Sequence, residues 1–132
     1  MIRRLSRRVG RRGGFLAFLA LLHVLYGYSL LAAPATALGP YSLGFPVWVW
    51  AVLWITSGVA CVVSAPLTGK ADRGGFAAAA VIDAGWACLW AHLWIVQGFP
   101  RGWVSLVVWS TFSGVVMMVS GWPEPPRPGD PL

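Results

Sequence analysis

The chain has 132 residues, 58% of them hydrophobic and only 11% charged, with a net charge of +6. So few charges cannot cover an apolar core of that size in water, which excludes a soluble globular domain and leaves no length for one beside a membrane domain. Two cysteines without a CxxC, two histidines and four acidic residues exclude a disulfide framework and a Cys/His-rich metal or haem module.

Residues 1–14 form a basic arm. It holds Arg3, Arg4, Arg7, Arg8, Arg11 and Arg12, six of the ten basic residues. Joined directly to an apolar run, such an arm reads as a topology signal resting on anionic lipid head groups. No aromatic interleaving or fold signature supports nucleic-acid binding. The first apolar stretch, 15–33, leads into a charge-free loop, 34–44. A second reading attaches here. An Arg-rich start, an apolar run and Pro34-Ala35-Thr36-Ala37 together have the outline of an export signal cleaved after Ala37, with Arg7-Arg8 in the twin-arginine position. The run exceeds a usual signal core, and Val9-Gly10-Arg11 lack the hydrophobic positions such a signal needs. A retained first span is therefore expected; cleavage would leave three spans.

The second stretch is 45–65. A loop with Pro66, Gly69, Lys70, Arg73, Gly74 and Gly75 follows. The third stretch, 76–96, carries Asp83 as its one acid. Gly98, Pro100, Arg101 and Gly102 separate it from the fourth, 103–122. The tail, 123–132, has five prolines and cannot be helical. Each stretch holds roughly 20 residues, which at about 1.5 Å per residue crosses a hydrocarbon core of about 30 Å. The expectation is an all-α integral membrane bundle of four transmembrane helices, with sequential helices antiparallel because the loops are short.

Charge sets the orientation. With the N-terminus inside, the arm, Lys70, Arg73 and Arg127 are cytoplasmic and only Arg101 is outside, so both termini are cytoplasmic. Trp48, Trp50, Trp94 and Trp103 then fall at the outer interface and Trp122 at the inner one, where an indole keeps one edge apolar and its N–H wet. Trp54, Trp86, Trp90 and Trp109 lie deeper and read as packing or lipid-facing bulk. His92, near the outer boundary, reads as a snorkelling residue. Cys61 and Cys88 differ by roughly 12 Å in depth, too far for a disulfide.

Small and polar residues recur at helical spacing on each span: Ala20, His23 and Gly27; Ser57, Ala60, Cys61 and Ser64; Ala77, Ala80, Ala84, Ala87 and Ala91; Ser110, Ser113, Gly114, Met117 and Gly121. In lipid, helices associate through close packing of small residues and hydrogen bonds, so these faces are expected to turn inward. Asp83 is the costly residue, at about 2.5–3.5 kcal/mol to insert. His23 reaches the same height on a helix running the same way, roughly 10–12 Å from the cytoplasmic edge, and Ser57 and Ser113 come to a similar height from their inner ends. The expectation is a polar layer of His23, Ser57, Asp83 and Ser113. Asp83 in it is either protonated or ionised against a protonated His23. Interhelical bonding is the plain role of such a layer. A proton or ion path, or an oligomer interface at Asp83, are the functional ones. No catalytic constellation, G-x-S-x-G, HExxH or phosphate-binding loop occurs, and neither an enzyme nor a bound cofactor is expected.

Tyr26-Gly-Tyr28-Ser-Leu, Asp72-Arg73-Gly-Gly-Phe76-Ala-Ala, Arg101-Gly-Trp103-Val-Ser105 and Ser120-Gly-Trp122-Pro-Glu-Pro-Pro carry a resemblance. The layout is similar to small four-span membrane proteins encoded by bacteriophages of actinobacteria, and the Arg/Ala/Gly/Pro/Trp-rich composition fits a GC-rich genome. The resemblance implies a multi-pass protein of the host's cytoplasmic membrane, encoded among tail and lysis genes, with a holin-like role in permeabilising the membrane. The dense basic C-terminal tail common in holins is missing, since Glu124 and Asp130 accompany Arg127. The basic N-terminal arm takes that part instead. Partners implied are the bilayer and either further copies of the chain or another membrane protein. The competing expectations are a non-lytic accessory, regulatory or superinfection-exclusion protein, and a small proton-coupled exporter. The exporter fits less well, because the first span has no acid and the charge bias opposes dual topology.

Overall fold

The computed structural model describes residues 10–32, 43–67 and 69–123. Four helices occupy most of them: α1 (Arg11–Ala32), α2 (Val47–Ser64), α3 (Arg73–Ile95) and α4 (Gly102–Ser120). Each is long and apolar enough, by length and composition, to span a membrane. No proline interrupts any of them, and Pro46 stands at the N-cap of α2, where its missing N–H costs nothing.

The helices differ from the expected spans at their starts. α1 begins at Arg11, so the last residues of the basic arm are helical, with Gly14 N–H on the Gly10 carbonyl at 2.9 Å. α3 begins at Arg73, so Gly74 and Gly75 are helical and not loop breakers. Asp72 caps the turn with its carbonyl, which accepts from Gly75 N–H at 3.2 Å and Phe76 N–H at 3.5 Å. Tertiary contact is the reason in both cases: Arg12 is held by Asp72, and Gly75 packs against Ser64. The 123–132 tail lies outside the described residues except for Pro123, as do most of the 34–44 loop and Ala37.

Two antiparallel hairpins, α1–α2 and α3–α4, are each tightly packed, and α2 against α3 joins them. The α1–α2 contact is close because two glycines face across it. A Cβ on Gly27 would lie 2.9 Å from the Ala51 carbonyl oxygen, and one on Gly58 would lie 3.0 Å from that of Ala20. Two apolar clusters fill the interior. One, toward the Arg12 end, gathers Leu16, Leu19, Phe76, Ala79, Val116 and Val119. The other gathers Trp54, Ile82, Trp86, Leu89 and Leu93. The polarity runs opposite to that of a water-soluble bundle. Phe18, Leu21, Val63, Val81, Ile95 and Met118 are exposed, while His23, Ser57, Ser64, Asp72 and Asp83 are buried.

The expected inward stripes divide. On α1, Ala20, His23 and Gly27 are buried; on α2, Ser57, Cys61 and Ser64 are. On α3, Ala80 and Ala87 are buried, but Ala77 is exposed, and the buried face centres on Phe76, Asp83 and Trp86. On α4 the stripe turns outward: Ser110, Gly114, Met117 and Gly121 are exposed, and Val116 and Val119 face in. Packing decides this. Val116 and Val119 of α4 join the buried cluster that holds Ala79 and Ala80 of α3.

Candidate functional site: a buried polar layer

Between the two apolar clusters lie His23 from α1, Ser57 from α2 and Asp83 from α3. His23 and Asp83 are wholly buried. His23 Nδ1 and Ser57 Oγ are 3.0 Å apart, a hydrogen bond. His23 Nε2 stands 3.5 Å from Asp83 Oδ1, within ion-pair range. That contact is not a formed hydrogen bond, and neither Asp83 oxygen has a hydrogen-bond partner among the described residues. Trp54 meets the His23 ring edge-on at 4.9 Å and fixes its plane. The next layer is aromatic. Tyr26 packs on Trp54 at 4.5 Å, Trp109 packs on both, and Trp86 Nε1 donates to the Tyr26 hydroxyl at 3.1 Å. The deep tryptophans are therefore packing residues, while Trp48, Trp94, Trp103 and Trp122 are exposed near helix ends.

Ser113 does not join this layer. Its hydroxyl donates to the Ala80 carbonyl of α3 at 3.2 Å. It has the right height, but its hydroxyl is taken up by the α3 backbone, while His23 bonds Ser57 instead.

A second buried pair was not expected. Arg12 Nη2 donates to Asp72 Oδ1 at 2.8 Å, with side chains 11% and 1% exposed. Arg12 Nη1 also donates to the Trp122 carbonyl at 3.3 Å, and its guanidinium lies 5.1 Å over the Phe76 ring. Arg12, from the set of basic residues assigned above to the lipid surface, thus ties together the ends of α1, α3 and α4. Of the rest of that set, Arg11, Lys70 and Arg73 are exposed, and Arg3, Arg4, Arg7 and Arg8 lie outside the described residues.

One sequence signal does point to both pairs. Arg12 and His23 are eleven residues apart, and so are Asp72 and Asp83. Eleven residues make about three helical turns, so each set lies on one helix face. Because α1 and α3 run in the same direction, two cations on one helix meet two carboxylates on the other in matching register. Replacing Arg12 by Ala leaves the buried Asp72 without its guanidinium. The expected loss is about 1.5–3 kcal/mol, the range for a hydrogen bond to a charged group. Thermal melts in detergent would read it, and Arg12→Ala/Asp72→Ala should recover part of it.

Ser57, His23 and Asp83 match a nucleophilic triad in residue type but not in setting. The backbone N–H groups around Ser57 lie inside the α2 helix. The trio suits holding or passing a proton. Among the described residues no three His, Cys, Asp or Glu side chains come together to hold a metal ion. No protein-family model, curated protein or solved structure matches this chain.

Proposed function

We propose that this chain is a multi-pass protein of a bacterial cytoplasmic membrane, both ends inside, that acts by associating with further copies of itself in a holin-like, membrane-permeabilising role. The observation that carries the reading is the outward small-residue side of α4. Beside it, a groove of about 280 Å³ runs between α3 and α4, lined by Leu106 and the small residues Ala84, Ala87, Cys88, Ala91, Ser110 and Ser113. In lipid there is no hydrophobic drive between helices, and small residues that admit a close neighbour supply the attraction instead. The apolar exterior supports insertion. Arg11, Lys70 and Arg73 sit at one end of the bundle and Arg101 at the other, which supports the orientation and the contact with anionic head groups.

Controlled induction in a bacterial host tests the role. Collapse of membrane potential and release of a co-expressed endolysin are expected; full viability under strong induction removes the holin-like reading. Cys88 tests the interface independently. It is exposed in the groove, whereas Cys61 is buried. Mild oxidation of membranes should give a disulfide-linked dimer that Cys88→Ala abolishes and Cys61→Ala leaves intact.

A non-lytic accessory, regulatory or exclusion role is the second reading. It is favoured by how much of the polar chemistry is paired inside one chain, His23 with Ser57 and Asp83, and Arg12 with Asp72. It predicts a co-purifying membrane partner and unchanged potential.

A further inference from the structure

Neither reading gives the buried His23–Asp83 pair a chemical task, and its surroundings are unequal on the two sides. Toward the Arg12 end, the buried face of α2 continues with Cys61 and Ser64, each about one turn beyond the last. Cys61 Sγ donates to the Gly75 carbonyl at 3.5 Å. The Ser64 hydroxyl lies against Gly75, so close that a Cβ there would come within 2.9 Å of Oγ. Gly75 N–H in turn donates to the Asp72 carbonyl, and Asp72 meets the partly exposed Arg12. Toward the opposite end the interior turns aromatic, with the Trp86 N–H to Tyr26 hydroxyl bond inside the ring stack. Trp54, Trp86, Trp109 and Tyr26 pack ring against ring across the bundle, with Trp54 wholly buried.

We propose that His23 and Asp83 form a proton-binding site, reached from the Arg12 end along the Ser64–Cys61 seam and closed toward the other end by the aromatic layer. The ligand is a proton and nothing larger. Both groups are wholly buried, and among the described residues no third His, Cys, Asp or Glu side chain joins them to hold a metal ion. One added proton settles on Asp83 Oδ1 or His23 Nε2, and no other bond forms or breaks. Ser57 holds the other ring nitrogen. Among the described residues, the other titratable groups near the site are Tyr26 on α1 and Cys61 on α2, and α4 has none along its length. Intramembrane carboxylates beside histidines serve as proton stations for this reason. The inference rests on the bilayer placement proposed above but not on the holin-like role.

The test is proton leak into dye-loaded liposomes carrying the full chain. Trp54→Ala should open the plug and raise the leak several-fold over wild type. Trp54→Phe should not, and adding Asp83→Asn to Trp54→Ala should return the leak to the wild-type level. A leak that persists without Asp83, or a folded Trp54→Ala protein as tight as wild type, overturns the site. Failure of the wild-type chain to enter liposomes overturns the bilayer placement and this inference together. Because Trp54→Ala is a core change, infrared spectra of wild type provide a second reading. A vibration that shifts in D2O and disappears in Asp83→Asn is expected, and a pair that stays unexchanged overnight overturns the proposed access.

Discussion

Replacing His23 by Leu should destabilise the bundle, by about 3–5 kcal/mol when the pair is ionised, the cost of leaving one member of a buried ion pair alone. Asp83 is wholly buried, and His23 is the only basic group within ion-pair range of it among the described residues. His23→Leu/Asp83→Leu should recover most of the loss, because a well-packed apolar pair of similar volume carries no stranded charge. The size of the coupling in a double-mutant cycle reports the state of the pair. Interhelical hydrogen bonds in bilayers average only ~0.6 kcal/mol. A coupling near that figure means a neutral, hydrogen-bonded pair, and one of several kcal/mol means an ionised pair. Thermal unfolding in mild detergent, followed by helical circular dichroism, measures each corner of the cycle.

The second large effect is expected at the α1–α2 contact. Gly27→Ala puts a Cβ 2.7 Å from Ile55 Cγ1 and 2.9 Å from the Ala51 oxygen, and Gly58→Ala puts one 2.7 Å from Val24 Cγ2 and 3.0 Å from the Ala20 oxygen. The side chains can turn aside, but the carbonyls are backbone, so the helices must separate. Overpacking of this kind costs about 1–3 kcal/mol per site. The double variant should lose roughly 2–5 kcal/mol, less than additive because one separation relieves both clashes. Gly85→Ala is the matched control. Nothing lies within 4 Å of its added Cβ. It should stabilise α3 by about 0.5–1 kcal/mol, since alanine loses less backbone entropy than glycine in a helix.

Much of this site is legible in the residues. Asp83 stands out because a carboxylate in an apolar run has to find a partner, and helical rise puts His23 and Ser57 at its height. Ser113 shows the limit of that reasoning: equal height is not adjacency. The Arg12–Asp72 pair escaped for a different reason. Arg12 sits among five other arginines and Asp72 in a loop between breakers, so composition reads one as a surface charge and the other as a turn. Only the matching eleven-residue spacings on α1 and α3 hint at the pairing.

The amino-acid order by itself determined that there are four apolar helices, roughly where each begins and ends, and how high along its helix each polar group stands, because rise per residue is a property of the backbone. Tertiary structure decided how each helix is rotated about its axis. These helices are apolar nearly all the way round, so no polar face marks which side turns inward. The choice falls to packing: alanines of α3 cluster with valines of α4, glycines of α1 and α2 admit each other's backbone, and two carboxylates find the two cations that α1 presents in the same register.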